Sequence, residues 1–416
     1  MPSSNSRSKG KHLCLMAAVL LLSLTQTACG QAAFEAKPLG QEETAPVPVR
    51  TGADRTEQWL PLLKGKKVGL IANPTSRIGQ THLVDTMLSL GVQVSKVFAP
   101  EHGFRGDHGA GEKVSDEKDE RTGLPVVSLY GSHKKPLPAD LKGLDVVVFD
   151  IQDVGARFYT YISTMHYAME ACAENNVAFV VLDRPNPNGF YVDGPVLDDS
   201  VKSFIGMHPI PIVHGMTVGE LARMINGEGW LEGGRACNLQ VVTCEHWDHS
   251  MFYELPMKPS PNLPDMASIY LYPSLCLFEG TVMSVGRGTD KPFQVFGHPD
   301  FKAGKITFTP QSIPGAAPDP KFKGELCKGM DVTEFGDIYI KNAGRLYLFW
   351  LLEAYRDMNM GKDFFRSSFD KLAGNHALRR QIMAQVQEED IRKSWEPALS
   401  DFKQLRRKYL LYPDFE

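Results

Sequence analysis

Residues 98–111 read FAPEHGFRGDHGAG and set Glu101, His102, Arg105, Asp107 and His108 among four glycines. A carboxyl, two imidazoles and a guanidinium in one turn can transfer a proton, hold a metal or grip an anion. Pro100 stiffens the approach to Glu101, and Gly103 permits a backbone angle that other residues resist. With Phe98 and Phe104 as apolar neighbours, Glu101 has the setting in which a general acid keeps its proton near neutral pH. A solvated loop glutamate is the plain alternative. His102, Asp107 and His108 carry ligand atoms, but no HxH or HExxH spacing puts two of them on one helix face, so no metal or other cofactor is predicted.

Further polar residues follow apolar runs. Asn73 ends KVGLIAN, and FDIQDVGARFYTYIST supplies Asp150, Asp153, Arg157 and Tyr159. One reading makes a carboxylate there the partner of Glu101, with Arg157 free to hold an anion. The other pairs Arg157 with Asp150 or Asp153 for structure alone. LDRPNPNG pins Arg184, Asn186 and Asn188 between prolines, and PIPIVHGMT places His214 before a helix start. KPSPNLPDM frames Asn262, and LFEGTVMSVGRGTDKPF carries Glu279 and Arg287. Neither GxSxG nor GxxxxGK[ST] occurs, and no GxGxxG follows the first strand, which sets aside a serine hydrolase, a phosphate loop and a dinucleotide enzyme. What remains is carboxylates, arginines, asparagines and aromatics, a set suited to acid-assisted cleavage of a polar, anionic sugar. Asp153, Asp150 or Glu279 would be the second group beside Glu101. A net charge of −4 lacks the basic excess of a nucleic-acid binder.

These residues need elements to position them. KKVGLIAN, VQVSKVFAP, LPVVSLYG, LDVVVFDIQD, VAFVVLDRP and LQVVTCEHW are short apolar runs, separated in places by helical patterns such as YISTMHYAMEACAENN. That alternation predicts an α/β fold with a Rossmann-like, mostly parallel sheet over residues 56–289. Ligands in such sheets bind beyond the carboxyl ends of the strands, where the polar clusters fall. From about residue 290 the pattern shifts to a smaller, mixed α+β region over 290–416. Thr217 and Glu220 fit a capping box. Of the later cysteines, Cys237 and Cys244 are candidates for a bridge.

At the other end Arg7, Lys9 and Lys11 precede the apolar run Leu13–Leu24, which reads as a secretory signal over residues 1–28. It ends in TACG, as a lipoprotein signal does before a lipid-modified Cys29, although Gln26 stands where an aliphatic residue is usual. Simple cleavage after Ala28 is the alternative. Residues 29–55 read as a flexible tether. A lipid on Cys29 would be the only link to a membrane, placing the protein in the periplasm or cell envelope.

The motifs FAPEHGFRG, TGLPVVSLYG, DVVVFDIQDVGARFYTYISTM, LDRPNPNG, SFIGMHPIPIVHGMTVGELA, PSPNLP and EGTVMSVGRGTDKPF occur in this order between Lys66 and Phe293. Together they resemble the exo-β-N-acetylmuramidases of peptidoglycan recycling. The resemblance implies a site in the crevice between a Rossmann-like domain and a smaller one. It also implies release of N-acetylmuramic acid from non-reducing ends of cell-wall fragments, with Glu101 catalytic. The lactyl carboxylate of muramic acid asks for a cation, and Arg157, Arg184 and Arg287 are the candidates. Two other classes stay open: a non-catalytic lipoprotein that binds muropeptides, and a metal-dependent amidase or deacetylase built on His102, Asp107 and His108.

Overall fold

The computed structural model describes residues 47–101, 103–105 and 117–416, and Val47–Glu416 form one compact unit. Six strands form the main parallel sheet: β1 (Lys67–Ala72), β2 (Gln93–Ala99), β3 (Pro125–Ser128), β4 (Val146–Asp150), β5 (Ala178–Leu182) and β6 (Leu239–Val242). Their spatial order is β3-β2-β1-β4-β5-β6, with the short pair Glu117–Lys118 added antiparallel at the β3 edge. The order reverses direction between β1 and β4, which creates a crevice at their carboxyl ends.

These strands are apolar runs because both of their faces are buried. Val146 and Val148 of β4 point into one layer with Val68, Leu70, Val94 and Val97. There they meet Trp59 and Leu63 of α1 (Thr56–Leu63) and Val84 and Met87 of α2 (Leu83–Ser89). Val147 and Phe149 point into the other layer, against Ile162, Met165 and Met169 of α3 (Tyr161–Asn175) and Leu221 of α4 (Val218–Gly227). The predicted capping box is present, with Thr217 Oγ1 accepting from the Glu220 amide.

The C-terminal part holds an antiparallel sheet of β7 (Val295–His298), β8 (Ile306–Phe308) and β9 (Cys327–Asp331). Around it lie helices, among them α5 (Met266–Leu275), α6 (Phe349–Met358) and α7 (Glu388–Arg407). Phe296, Trp350, Phe369 and Trp395 belong to the same apolar cluster as Phe149 and Phe179, so one core runs from the sheet into this region. The five cysteines of the described residues are buried free thiols, and Cys237 and Cys244 form no bridge.

Residues 50–55 were expected in the tether and instead pack on the sheet. Ala53 is fully buried, and the Gly52 amide donates to the Asp183 carbonyl at 2.7 Å. A Cβ on Gly52 would lie 2.3 Å from the Val242 carbonyl oxygen, so only glycine lets the chain run so close. That signal is one residue long, and composition hides it.

Arg157 ties the two parts together. Its Nη1 donates to the carbonyls of Pro195 and Ile210, each at 2.8 Å, and its Nη2 donates to that of Leu372 at 2.9 Å. The guanidinium is fully buried and sits against Gly374, where a Cβ would lie 2.3 Å from Nη2. We expect Arg157→Met to leave the buried carbonyls of Pro195 and Leu372 without donors, while that of Ile210 keeps the Leu197 amide. At about 1–3 kcal/mol for each of the two, the loss should reach at least about 2 kcal/mol in a urea unfolding curve. An unshifted midpoint would show that these bonds do not hold the halves together.

Candidate active site

Glu101 leaves the end of β2 after Pro100, and Gly103, at φ +76°, turns the chain back so that its amide donates to the Pro100 carbonyl. The half-buried Glu101 carboxyl accepts the Tyr130 hydroxyl on Oε1 at 3.0 Å and the Thr160 hydroxyl on Oε2 at 3.4 Å. Burial, with Glu101 as neighbour, pushes the Tyr130 phenol up to about 12, so it stays a donor at neutral pH. The Tyr161 hydroxyl donates to the Glu101 carbonyl at 3.4 Å. Two hydroxyls thus aim the carboxyl, and a third holds the backbone of the same residue.

That carboxyl lines a cavity of about 370 Å³. Phe158, Tyr159 and Tyr161 form part of the wall, with Tyr272 of α5 and Phe293 adding aromatic surface. Tyr159 and Tyr161 pack edge to face at 5.0 Å, as do Tyr272 and Phe293 at 4.9 Å. The Tyr159 hydroxyl donates to the Pro259 carbonyl at 2.8 Å and so fixes the loop that brings Ser260 and Asn262 to the cavity. Asn262 in turn donates to the Ala316 carbonyl at 2.8 Å. Glu279 and Arg287 also line the cavity and form an ion pair, Nε to Oε1 at 2.6 Å and Nη2 to Oε2 at 3.3 Å. Burial pushes the Glu279 carboxyl upward, but the adjacent Arg287 outweighs it and holds the group below its ordinary range. Beneath this loop the Lys321 ammonium donates to the carbonyls of Glu279, Thr281 and Met283 at 2.8–3.2 Å.

Among the predicted site residues, Glu101, Tyr159, Asn262, Glu279 and Arg287 therefore meet at one cavity. The others lie behind it. Arg157 is not the expected anion grip, because backbone carbonyls already occupy its guanidinium. Arg184 pairs bidentately with the fully buried Asp150 at 2.6 and 2.9 Å, which removes both from substrate. Asn186 donates to the Met216 carbonyl, and Asn188 to those of Val154 and Ile269. Asn73 accepts from Thr75 and braces the turn after β1. His214 is buried and accepts from the Met216 amide, and burial lowers it to about 3, so its ring is neutral. Asp153 is buried 3.8 Å from that ring and does not line the cavity. His102, Asp107, His108 and Cys29 lie outside the described residues. Among the described residues, Glu170, Glu174 and Glu232 have metal-like spacing, but the Lys135 ammonium already sits 2.6 Å from Glu170 and 2.8 Å from Glu174.

Tyr130, Thr160, Tyr272 and Phe293 were not predicted. Tyr130 follows β3 at the same sheet edge as Glu101, a position the strand reading could have flagged. Tyr272 sits inside an apolar helix and gives no such signal.

The sequence profile of the N-terminal region of the exo-β-N-acetylmuramidase NamZ matches residues 68–267, and that of its C-terminal region matches residues 270–412. The chain belongs to the exo-β-N-acetylmuramidase family, whose members are glycoside hydrolases. A peptidoglycan β-N-acetylmuramidase NamZ from Bacillus subtilis is 42% identical over 404 residues, covering 91% of this chain and 95% of the relative. Two crystal structures of DUF1343 family proteins from Bacteroides fragilis share the fold. One is 46% identical with a TM-score of 0.83, covering 88% of this chain and 100% of that chain. The other is 33% identical with a TM-score of 0.75, covering 88% and 99%.

Within this muramidase fold Asp153 has a measurable signature. Its Oδ2 accepts from the Gly155 amide at 2.7 Å, while burial pushes the carboxyl up to about 7 from an ordinary 3.8. Between pH 4 and 7 the folded chain keeps a proton that the unfolded chain has lost. Stability therefore falls as pH rises through that window, and the penalty is complete above about pH 7. Asp153→Asn retains the acceptor and cannot ionise. In unfolding curves at pH 5 and pH 8 the variant should lose less stability than the parent. Parallel losses would contradict the assignment.

Proposed function

We propose that the chain is an exo-acting glycosidase that releases N-acetylmuramic acid from the non-reducing ends of peptidoglycan fragments, with Glu101 as general acid. The observation that carries this reading is one cavity lined by both Glu101 and the Glu279–Arg287 pair, in a chain 42% identical to a peptidoglycan β-N-acetylmuramidase. Glu101 protonates the glycosidic oxygen as the bond to the anomeric carbon breaks. Glu279, ionised beside Arg287, is the best-placed second carboxylate, since Asp150 and Asp153 are buried away from the cavity. Nη1 of Arg287 has no hydrogen bond among the described residues and is free to meet the lactyl carboxylate. The aromatic wall suits the apolar face of a pyranose ring. The alternatives of a binding lipoprotein or a metal-dependent amidase have no comparable support among the described residues.

Glu101→Gln keeps the hydroxyl contacts and removes the proton. It should lower kcat/KM by about 10²–10⁴-fold on N-acetylmuramyl-N-acetylglucosamine, and by less on an aryl glycoside whose leaving group needs no proton. Full activity on the disaccharide would remove Glu101 from its role.

The reading extends to export and to a lipid on Cys29, supported by the basic flank, apolar run and TACG junction. Metabolic labelling with a radioactive fatty acid should mark the parent chain and leave Cys29→Ala unmarked. Equal labelling of both would refute the anchor.

A further inference from the structure

A second cavity, of about 570 Å³, opens beside the first and shares Tyr161, Ser260 and Asn262 with it. We propose that it is a leaving-group subsite that selects saccharides carrying a carboxylate. This rests on the muramidase reading: with muramic acid in the first cavity, the departing chain must run past the shared residues. The second cavity is the larger, so it accommodates more than the sugar next to the scissile bond.

Its charges point to an anion. Arg105 lines the wall but is already answered by Asp119 at 2.7 Å and Asp85 at 3.4 Å. Arg77 is not. It donates Nε to the Pro74 carbonyl at 3.0 Å and Nη1 to the Gln80 carbonyl at 2.8 Å, and it has no carboxylate partner among the described residues. Those two bonds hold the guanidinium in place and leave Nη2 open. Lys258 is exposed on the same cavity and likewise forms no ion pair among the described residues. Asp290 is the one described carboxylate in the lining besides these cations, so positive charge prevails. Pro259, Pro261, Pro264 and Pro292 give the walls a stiff backbone, which limits the entropy lost when a ligand settles.

In a peptidoglycan strand the sugar next to the cleaved bond has no acid, whereas the following muramic acid bears a lactyl carboxylate or a stem peptide that itself ends in carboxylates. A disaccharide substrate thus offers the subsite no anion, and a tetrasaccharide offers one.

The test compares kcat/KM on N-acetylmuramyl-N-acetylglucosamine, on the corresponding tetrasaccharide, and on a tetrasaccharide whose internal lactyl group is a neutral amide. We expect the tetrasaccharide to exceed the disaccharide by at least about tenfold, as one charge-assisted hydrogen bond allows. The amide should lose most of that advantage. In Arg77→Gln and Lys258→Gln the ratio of tetrasaccharide to disaccharide should fall toward one. The amide comparison uses the unaltered chain and so does not depend on the variants folding. A peptide-bearing tetrasaccharide identifies the anion: a higher kcat/KM than the free acid assigns the stem carboxylates, and a lower one assigns the lactyl group. Equal kcat/KM for the disaccharide, acid and amide would overturn the subsite while leaving the muramidase reading intact. No turnover of any of them would overturn both.

Discussion

A guanidinium buried without a carboxylate holds this site in shape. Burial alone lowers Arg157 to about 9, and no anion among the described residues offsets the loss of water. The charge is instead solvated by three carbonyls, two from the segment between α3 and α4 and one from Leu372 in the C-terminal part. The carbonyls of Pro195 and Leu372 would otherwise be buried acceptors without a donor, which is costly in itself. The arrangement is therefore mutual: Arg157 requires the C-terminal part in place, and the C-terminal part requires Arg157. The next residues along the chain, Phe158 to Tyr161, are cavity wall, and so is Leu372. Any slip between the two parts would move both sides of the cavity at once.

Two arginine–carboxylate pairs show how burial separates structure from chemistry. Asp150 and Arg184 have side-chain exposures of 0% and 5%, and a charged ligand could not reach either. Glu279 and Arg287 have 29% and 31%, at a cavity. The geometry of the two pairs is similar, and each sets a carboxylate against an arginine fork. Exposure decides that one closes the ends of β4 and β5 while the other faces the cavity.

That difference also marks how far the sequence could be read. The strands were legible because a sheet covered on both faces needs unbroken apolar runs, and those runs are in the text of the chain. The polar residues at strand ends were legible as a group, because nothing else in such a sheet tolerates them. Which of them reach open space was not. Asp153, Asn186 and His214 carry the chemistry of a site but point into the protein, satisfying loops around Gly155 and Met216. The opposite wall comes from residues 260–293 and from Ser368 and Leu372, far along the chain and without a local pattern. Tyr272 reads as one more apolar residue of α5 until Phe293 is seen to pack against it.

The charge around Arg287 fixes the state of Glu279. Arg287 and Glu279 face each other as a pair of opposite charges at the cavity. Lys321, inserted from the C-terminal part, brings a second cation near Glu279. Burial lowers its ammonium to about 8, with Arg366 adding to the effect and Glu279 opposing it, so it remains mostly charged at neutral pH. It meets no carboxylate directly and donates to backbone carbonyls of the loop that carries Glu279. The same side chain thus sets the position of that loop and adds to the pull that keeps the Glu279 carboxyl low. In a site partly closed to water, two cations fixed near one carboxylate act on it with less screening than any exposed lysine could achieve, and so Glu279 faces the cavity as an anion.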